Sequence, residues 1–154
     1  MNKMVLPLIA VIAVIFIIVG ISGDNADIEL TTVTNVQQLN DAIAEGPVLI
    51  EIGAEWCPSC KAQKPILAEI ENDYQGKASV LYIDTDRTGA LAASFNVYSI
   101  PDMFVIVDMG SEGYVYMGKD GQTTTDRNMA RFIGLTSKGT LTDVLDAAIE
   151  YRNN

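Results

Sequence analysis

Histidine is absent from the sequence, which removes Ser-His and Cys-His nucleophilic catalysis and histidine-based zinc sites from consideration. With only 2 cysteines, no zinc site of three or four thiolates forms within one chain. Lysine and arginine together number 10 against 20 acidic residues, a formal charge of −10. A phosphate backbone requires clustered cations that this chain lacks, so nucleic acid is not an expected partner. What is present suffices for a core. Of the 154 residues, 49% are hydrophobic and 19% charged, so one domain of ordinary size can fold without metal or disulfide staples. No internal repeat, low-complexity tract or second domain is visible.

The one long apolar run lies at the start. Met4 to Ile21 carries no charge and is interrupted only by Pro7 and Gly20, a length that approaches the roughly 20 residues needed to span a bilayer. It predicts a transmembrane helix within an anchor at residues 1–23, a short linker at 24–27 and a folded domain over 28–154. A cleaved signal is the alternative, since Gly20-Ile21-Ser22 resembles a small-x-small cleavage site. Lys3 precedes the span while Asp24, Asp27 and Glu29 follow it. Cationic flanks stay cytoplasmic, which places the domain on the extracytoplasmic side, or makes it secreted if the segment is cleaved.

Patterning over the rest reads β-α-β-α-β-α-β. Ile28–Thr32 is a short strand. Thr34 and Gln37 have the spacing of a capping box for a helix presenting Val36, Leu39 and Ile43, which Gly46-Pro47 stops. Val48–Gly53 is a nearly continuous apolar run, as in a strand buried on both faces. From Pro58 to Tyr74 the stripe Ala62, Ile66, Ile70 and Tyr74 predicts a helix, kinked at Pro65. Strands follow at 78–83 and 103–107 with a short helix at 88–95 between them, and Gly113–Met117 can hairpin back. A last helix, capped by Ser137, buries Leu141, Val144, Leu145, Ala148 and Ile149.

Ala54-Glu55-Trp56-Cys57-Pro58-Ser59-Cys60-Lys61 lies between a buried strand and a helix, the setting that distinguishes a redox CxxC from a zinc half-site. Unpaired N–H groups at a helix start favour negative charge, so the Cys57 thiol is expected below its free value of about 8.5. Cys60, one turn on, can resolve a mixed disulfide by attacking the Cys57 sulfur. Pro58 suits the first helical turn, where its missing N–H costs nothing. A zinc half-site shared between chains and an inert structural disulfide are the other readings.

In this motif the chain resembles the thioredoxin family. The likeness spans residues 28 to 151, including Pro65 five residues after Cys60, Ile100-Pro101 and the stretch Gly134-Leu135-Thr136-Ser137-Lys138-Gly139. It implies an α/β thioredoxin fold, a central mixed β-sheet flanked by helices. It further implies a cis bond before Pro101, with the Ile100 main chain open to an extended substrate strand. Glu51 stands where many thioredoxins have a buried aspartate that manages the Cys60 proton, and burial should raise its pKa toward neutrality. A carboxylate turned out to solvent is the alternative. The family's partner lysine falls here on Tyr82 or Val80, neither of them a cation. By the same resemblance Trp56 shields the redox pair, Ser59 supplies no cationic help to it, and Gly134 turns the chain into the last helix. Lys61 is read as adding field at the pair or as a solubilising surface residue.

The function implied is a thiol-disulfide oxidoreductase that reduces disulfides of extracytoplasmic proteins. It would work as a monomeric soluble domain recycled by a membrane electron donor or acceptor, with no cofactor beyond the Cys57–Cys60 pair and no metal. Oxidase or isomerase action with the same residues is the close alternative, and a thioredoxin-like binding module with an inert disulfide the more distant one. The interval from Pro101 to Gly134 is long for one hairpin. Its polar part, Gly118–Asn128 with Thr123, Thr124 and Thr125, is read as a solvated loop or as a partner surface.

Overall fold

A computed structural model of the chain describes residues 28–154. The expected membrane anchor at 4–21, and the 24–27 linker, lie outside the described residues. Among the described residues no helix is long and apolar enough to cross a membrane.

The elements follow in the order β1 (Thr31–Thr32), α1 (Val36–Glu45), β2 (Val48–Gly53), α2 (Pro58–Asp73), β3 (Ser79–Asp84), α3 (Gly89–Ser94), β4 (Asp102–Gly110), β5 (Gly113–Met117), β6 (Thr123–Thr124), α4 (Arg127–Ala130), β7 (Phe132–Ile133) and α5 (Lys138–Asn153). The strands form one mixed sheet in the order β1-β3-β2-β4-β5-β6, with β7 also pairing β4. β2 sits at its centre, parallel to β3 and antiparallel to β4. This explains why its apolar run does not alternate: every residue from Val48 to Gly53 is buried, because helices cover both faces.

Period-two geometry sorts the strand side chains into two layers. Val48, Ile50 and Ile52 pack with Leu39 and Ile43 of α1 and with Leu91 and Ala92 of α3. Leu49 packs the other way, with Leu67 and Ile70 of α2 and Leu141, Val144, Leu145 and Ala148 of α5. Alternation puts Glu51 on the Leu49 side, under α2. That single parity decides where the site's carboxylate points.

Several local expectations shift. The cap of α1 is Asn35, whose side chain accepts from the Gln38 amide, while Gln38 Oε1 accepts from the Thr34 amide at 2.8 Å. The capping box is thus displaced by one residue from Thr34/Gln37, since asparagine is the better cap. Val36 is exposed. The buried face of α2 is Cys60, Gln63, Leu67 and Ile70. Ala62 is exposed and Ile66 only half-buried, so the apolar stripe read from the sequence is rotated off the true interior. Ser137 caps α5 through the Thr140 amide, as expected. The polar 118–128 segment is not a bare loop. Gly118 closes a turn with Gln122, β6 pairs β5, and Asp126 caps α4 through the Asn128 amide.

Candidate active site

β2 delivers the chain to the start of α2, and Cys57 is that helix's N-cap, with Pro58 in the first turn. The Cys60 amide donates to Cys57 Sγ at 3.2 Å. Cys57 and Cys60 are joined as a disulfide with Cα atoms 5.2 Å apart. Cys57 is 5% exposed and Cys60 fully buried. An incoming sulfur therefore reaches Cys57 first, and on reduction the amide already aimed at Cys57 Sγ favours its thiolate. Ser59 and Lys61 are exposed. Trp56, 66% exposed, borders the pair and is fixed by its indole N–H to Asp86 Oδ2 at 3.0 Å.

Behind Cys60 lies Glu51, fully buried, with neither carboxylate oxygen hydrogen-bonded. Desolvation raises its pKa to about 8, against the attraction of Lys64 and with a smaller push from Glu55. The alternative of a solvent-facing carboxylate is excluded. Tyr82 lies opposite Glu51 in the β2–β3 register, and its buried hydroxyl also lacks a partner. Lys64, which the sequence reading did not single out, supplies the nearby cation that position 82 lacks. It reaches in from α2, with Nζ 5.0 Å from the Tyr82 ring centroid and 2.6 Å from Glu55 Oε1.

Gly53 holds these groups together. A Cβ there would meet Cys60 Sγ at 3.1 Å, the Tyr82 ring at 3.1 Å and Glu51 Oε1 at 3.2 Å. The sulfur, the ring and the carboxylate therefore surround one point, a spacing that one bridging water can close for proton transfer. Gly53→Ala should fill that point and force the neighbours apart, costing about 1–3 kcal/mol as overpacking does. A lower urea midpoint together with slower turnover is the expected result, and an unchanged pair of values would show the space to be idle.

The opposite wall is the loop before β4. The Ile100–Pro101 bond is cis, and Ile100 packs against Ala54, Cys57 and Cys60. The Ile100 main chain makes no hydrogen bond among the described residues. Gly134, at φ +83°, donates its amide to the Pro101 carbonyl at 2.9 Å. Buried Gln63 then ties α2 to this turn, donating to the Thr136 carbonyl at 3.1 Å and accepting from its amide at 2.8 Å. The sequence pattern missed Gln63 because a buried amide leaves no apolar signal.

A CxxC at a helix N-terminus, facing a cis-proline loop and backed by a buried acid, can be compared directly with known proteins. The thioredoxin family model matches residues 30–131. The chain belongs to the thioredoxin family. It is similar to a thioredoxin of Staphylococcus saprophyticus, 42% identical over 69 residues that cover 45% of this chain and 66% of that one. It is also similar to a thioredoxin of Staphylococcus haemolyticus, 34% identical over 107 residues that cover 70% of this chain and 86% of that one. In fold it is similar to a mutant thioredoxin from Halobacterium salinarum, with TM-score 0.58 and 22% identity over 82% of this chain and 96% of that one. The chain is thus a thioredoxin-family disulfide oxidoreductase whose CxxC is Cys57–Cys60. Thioredoxins act on disulfide-containing substrates and need no cofactor beyond the redox disulfide. Among the described residues no cluster of candidate metal ligands occurs.

Proposed function

We propose that this protein reduces disulfide bonds of other proteins on the extracytoplasmic side of a membrane. Its domain would act as a monomer, tethered through residues 4–21. The observation that carries the reductase chemistry is the Cys60 amide on Cys57 Sγ with unpartnered Glu51 behind. In the reduced protein the Cys57 thiolate attacks one sulfur of a substrate disulfide. A mixed disulfide forms and one substrate thiolate leaves. Cys60 gives its proton to Glu51 and attacks the Cys57 sulfur, which forms Cys57–Cys60 and releases the second substrate thiolate. The two electrons have passed to the substrate, and a membrane dithiol carrier would return them. The Ile100 main chain would pair with the substrate backbone, independent of its sequence.

Run backwards, the same steps make an oxidase, and the reduction potential against a glutathione series sets the direction. A value well below the glutathione couple supports the reductase, and one well above it the oxidase. The direct test is insulin reduction driven by dithiothreitol with the full chain beside Cys57→Ser. Equal rates would leave the chain a thioredoxin-like binding module with an inert disulfide.

A further inference from the structure

Asp102, Arg127, Arg131 and Tyr98 form a connected unit that the thiol chemistry does not use. Asp102 directly follows Pro101 and is fully buried. Its carboxylate accepts from Arg127 at 3.0 and 3.2 Å and also from Arg131. Both arginines belong to the stretch between β6 and β7 that lengthens the interval from Pro101 to Gly134. Arg127 further donates to the Phe95 and Asn96 carbonyls and lies 4.8 Å from the Phe104 ring centroid. Arg131 is 4% exposed, and its guanidinium sits 4.1 Å from the centroid of the Tyr98 ring.

Tyr98 itself is 72% exposed. A single exposed apolar side chain ordinarily needs no explanation. This one is pinned on one face by a guanidinium that is itself locked to a buried carboxylate. Desolvating that charge network is costly, and solubility does not require it. The pinned ring stands two residues before Ile100, at most about 7 Å along the chain, and Ile100 is the residue that packs on the disulfide. Ile133, paired with Asp102 across β7 and β4, and Leu135 beyond Gly134 are also exposed and extend the apolar border of the same loop. A rigid aromatic loses little conformational freedom on binding, which is why such side chains anchor interfaces.

We infer that Tyr98 is a specificity-determining contact for an extended substrate segment carrying an apolar side chain beside its disulfide, with Arg131 as the positioning residue that holds it. This rests on the reductase reading above, and it assigns the Arg127–Arg131 stretch a role in seating substrate proteins. Cystine offers no neighbouring side chain, so its reaction with the reduced protein should not involve Tyr98.

The test compares wild type, Tyr98→Ala, Tyr98→Phe and Arg131→Lys in the full chain. Insulin reduction gives KM and kcat, and the rate of the pre-reduced protein with cystine is measured separately. Tyr98→Ala should raise KM for insulin about fivefold to tenfold, with kcat and the cystine rate within about twofold of wild type. Tyr98→Phe, which keeps the stacked ring, should restore the wild-type KM, and Arg131→Lys should raise it by a smaller factor. An unchanged KM in Tyr98→Ala overturns the inference, and so does a parallel fall with insulin and cystine, which would mark a merely structural role. If the wild type reduces neither substrate, the reductase reading itself fails, an outcome distinct from both.

Discussion

Cys57→Ser is expected to lower dithiothreitol-driven insulin reduction to the rate of dithiothreitol alone, the largest change any single substitution should produce here. The chain holds no histidine and no third cysteine, so neither an alternative base–nucleophile pair nor a substitute thiol is available. The Cys60 amide and the start of α2 can stabilise a thiolate at Cys57. They cannot ionise a serine hydroxyl at neutral pH. Cys60→Ser separates the two sulfurs' roles. Attack by Cys57 survives, but the intramolecular step that releases the product is gone. Pre-reduced Cys60→Ser mixed with insulin, without added reductant, should therefore accumulate a mixed disulfide visible on a non-reducing gel and removed by dithiothreitol. Full turnover in Cys57→Ser, or no trapped species in Cys60→Ser, would contradict the assignment of attacking and resolving sulfurs. Burial points the same way, since Cys57 retains slight exposure and Cys60 none.

The redox motif was legible in the sequence because its meaning is local: a buried apolar strand, a CxxC and a helical stripe lie within one stretch of chain. The last helix was legible for the same reason, with Leu141, Val144, Leu145 and Ala148 buried as their spacing predicts and Ile149, the fifth of the expected stripe, only half-buried. Other features depend on partners distant in the chain. Gln63 is polar and reads as surface, yet its amide is satisfied by Thr136, 73 residues on, and this rotates the true inner face of α2 away from Ala62. Arg127 and Arg131 read as parts of a polar loop, because Asp102 lies 25 and 29 residues away. Lys64 could have been found only by asking which residue of α2 looks down on position 82. The Gly53 junction depends on β2, α2 and β3 meeting, which no window of sequence contains.

Glu51 yields the second large expectation, because its two consequences have opposite signs over one pH range. Its pKa rises from an ordinary 4.5 to about 8 in the folded protein. Between those values the native state holds a proton that the unfolded chain has lost, so stability falls as pH rises. The slope is about 1.4 kcal/mol per unit, and the fall levels off above the folded value. Across the whole window the loss is on the order of 5 kcal/mol. Glu51→Gln cannot ionise, so urea unfolding of the oxidised protein should show its advantage over wild type growing from pH 5 to about pH 8 and levelling off beyond. Turnover should move the other way. Only ionised Glu51 can take the Cys60 proton, so wild-type activity should climb toward pH 8. Glu51→Gln should lack that climb and run slower by about tenfold or more at neutral pH. A flat stability difference between the two proteins would mean that Glu51 ionises freely in the fold. If the stability difference grew with pH while the activity profiles coincided, Glu51 would be a buried acid with no part in moving the proton. Only when both curves bend over the same interval does one carboxyl account for the cost to the fold and the gain in chemistry.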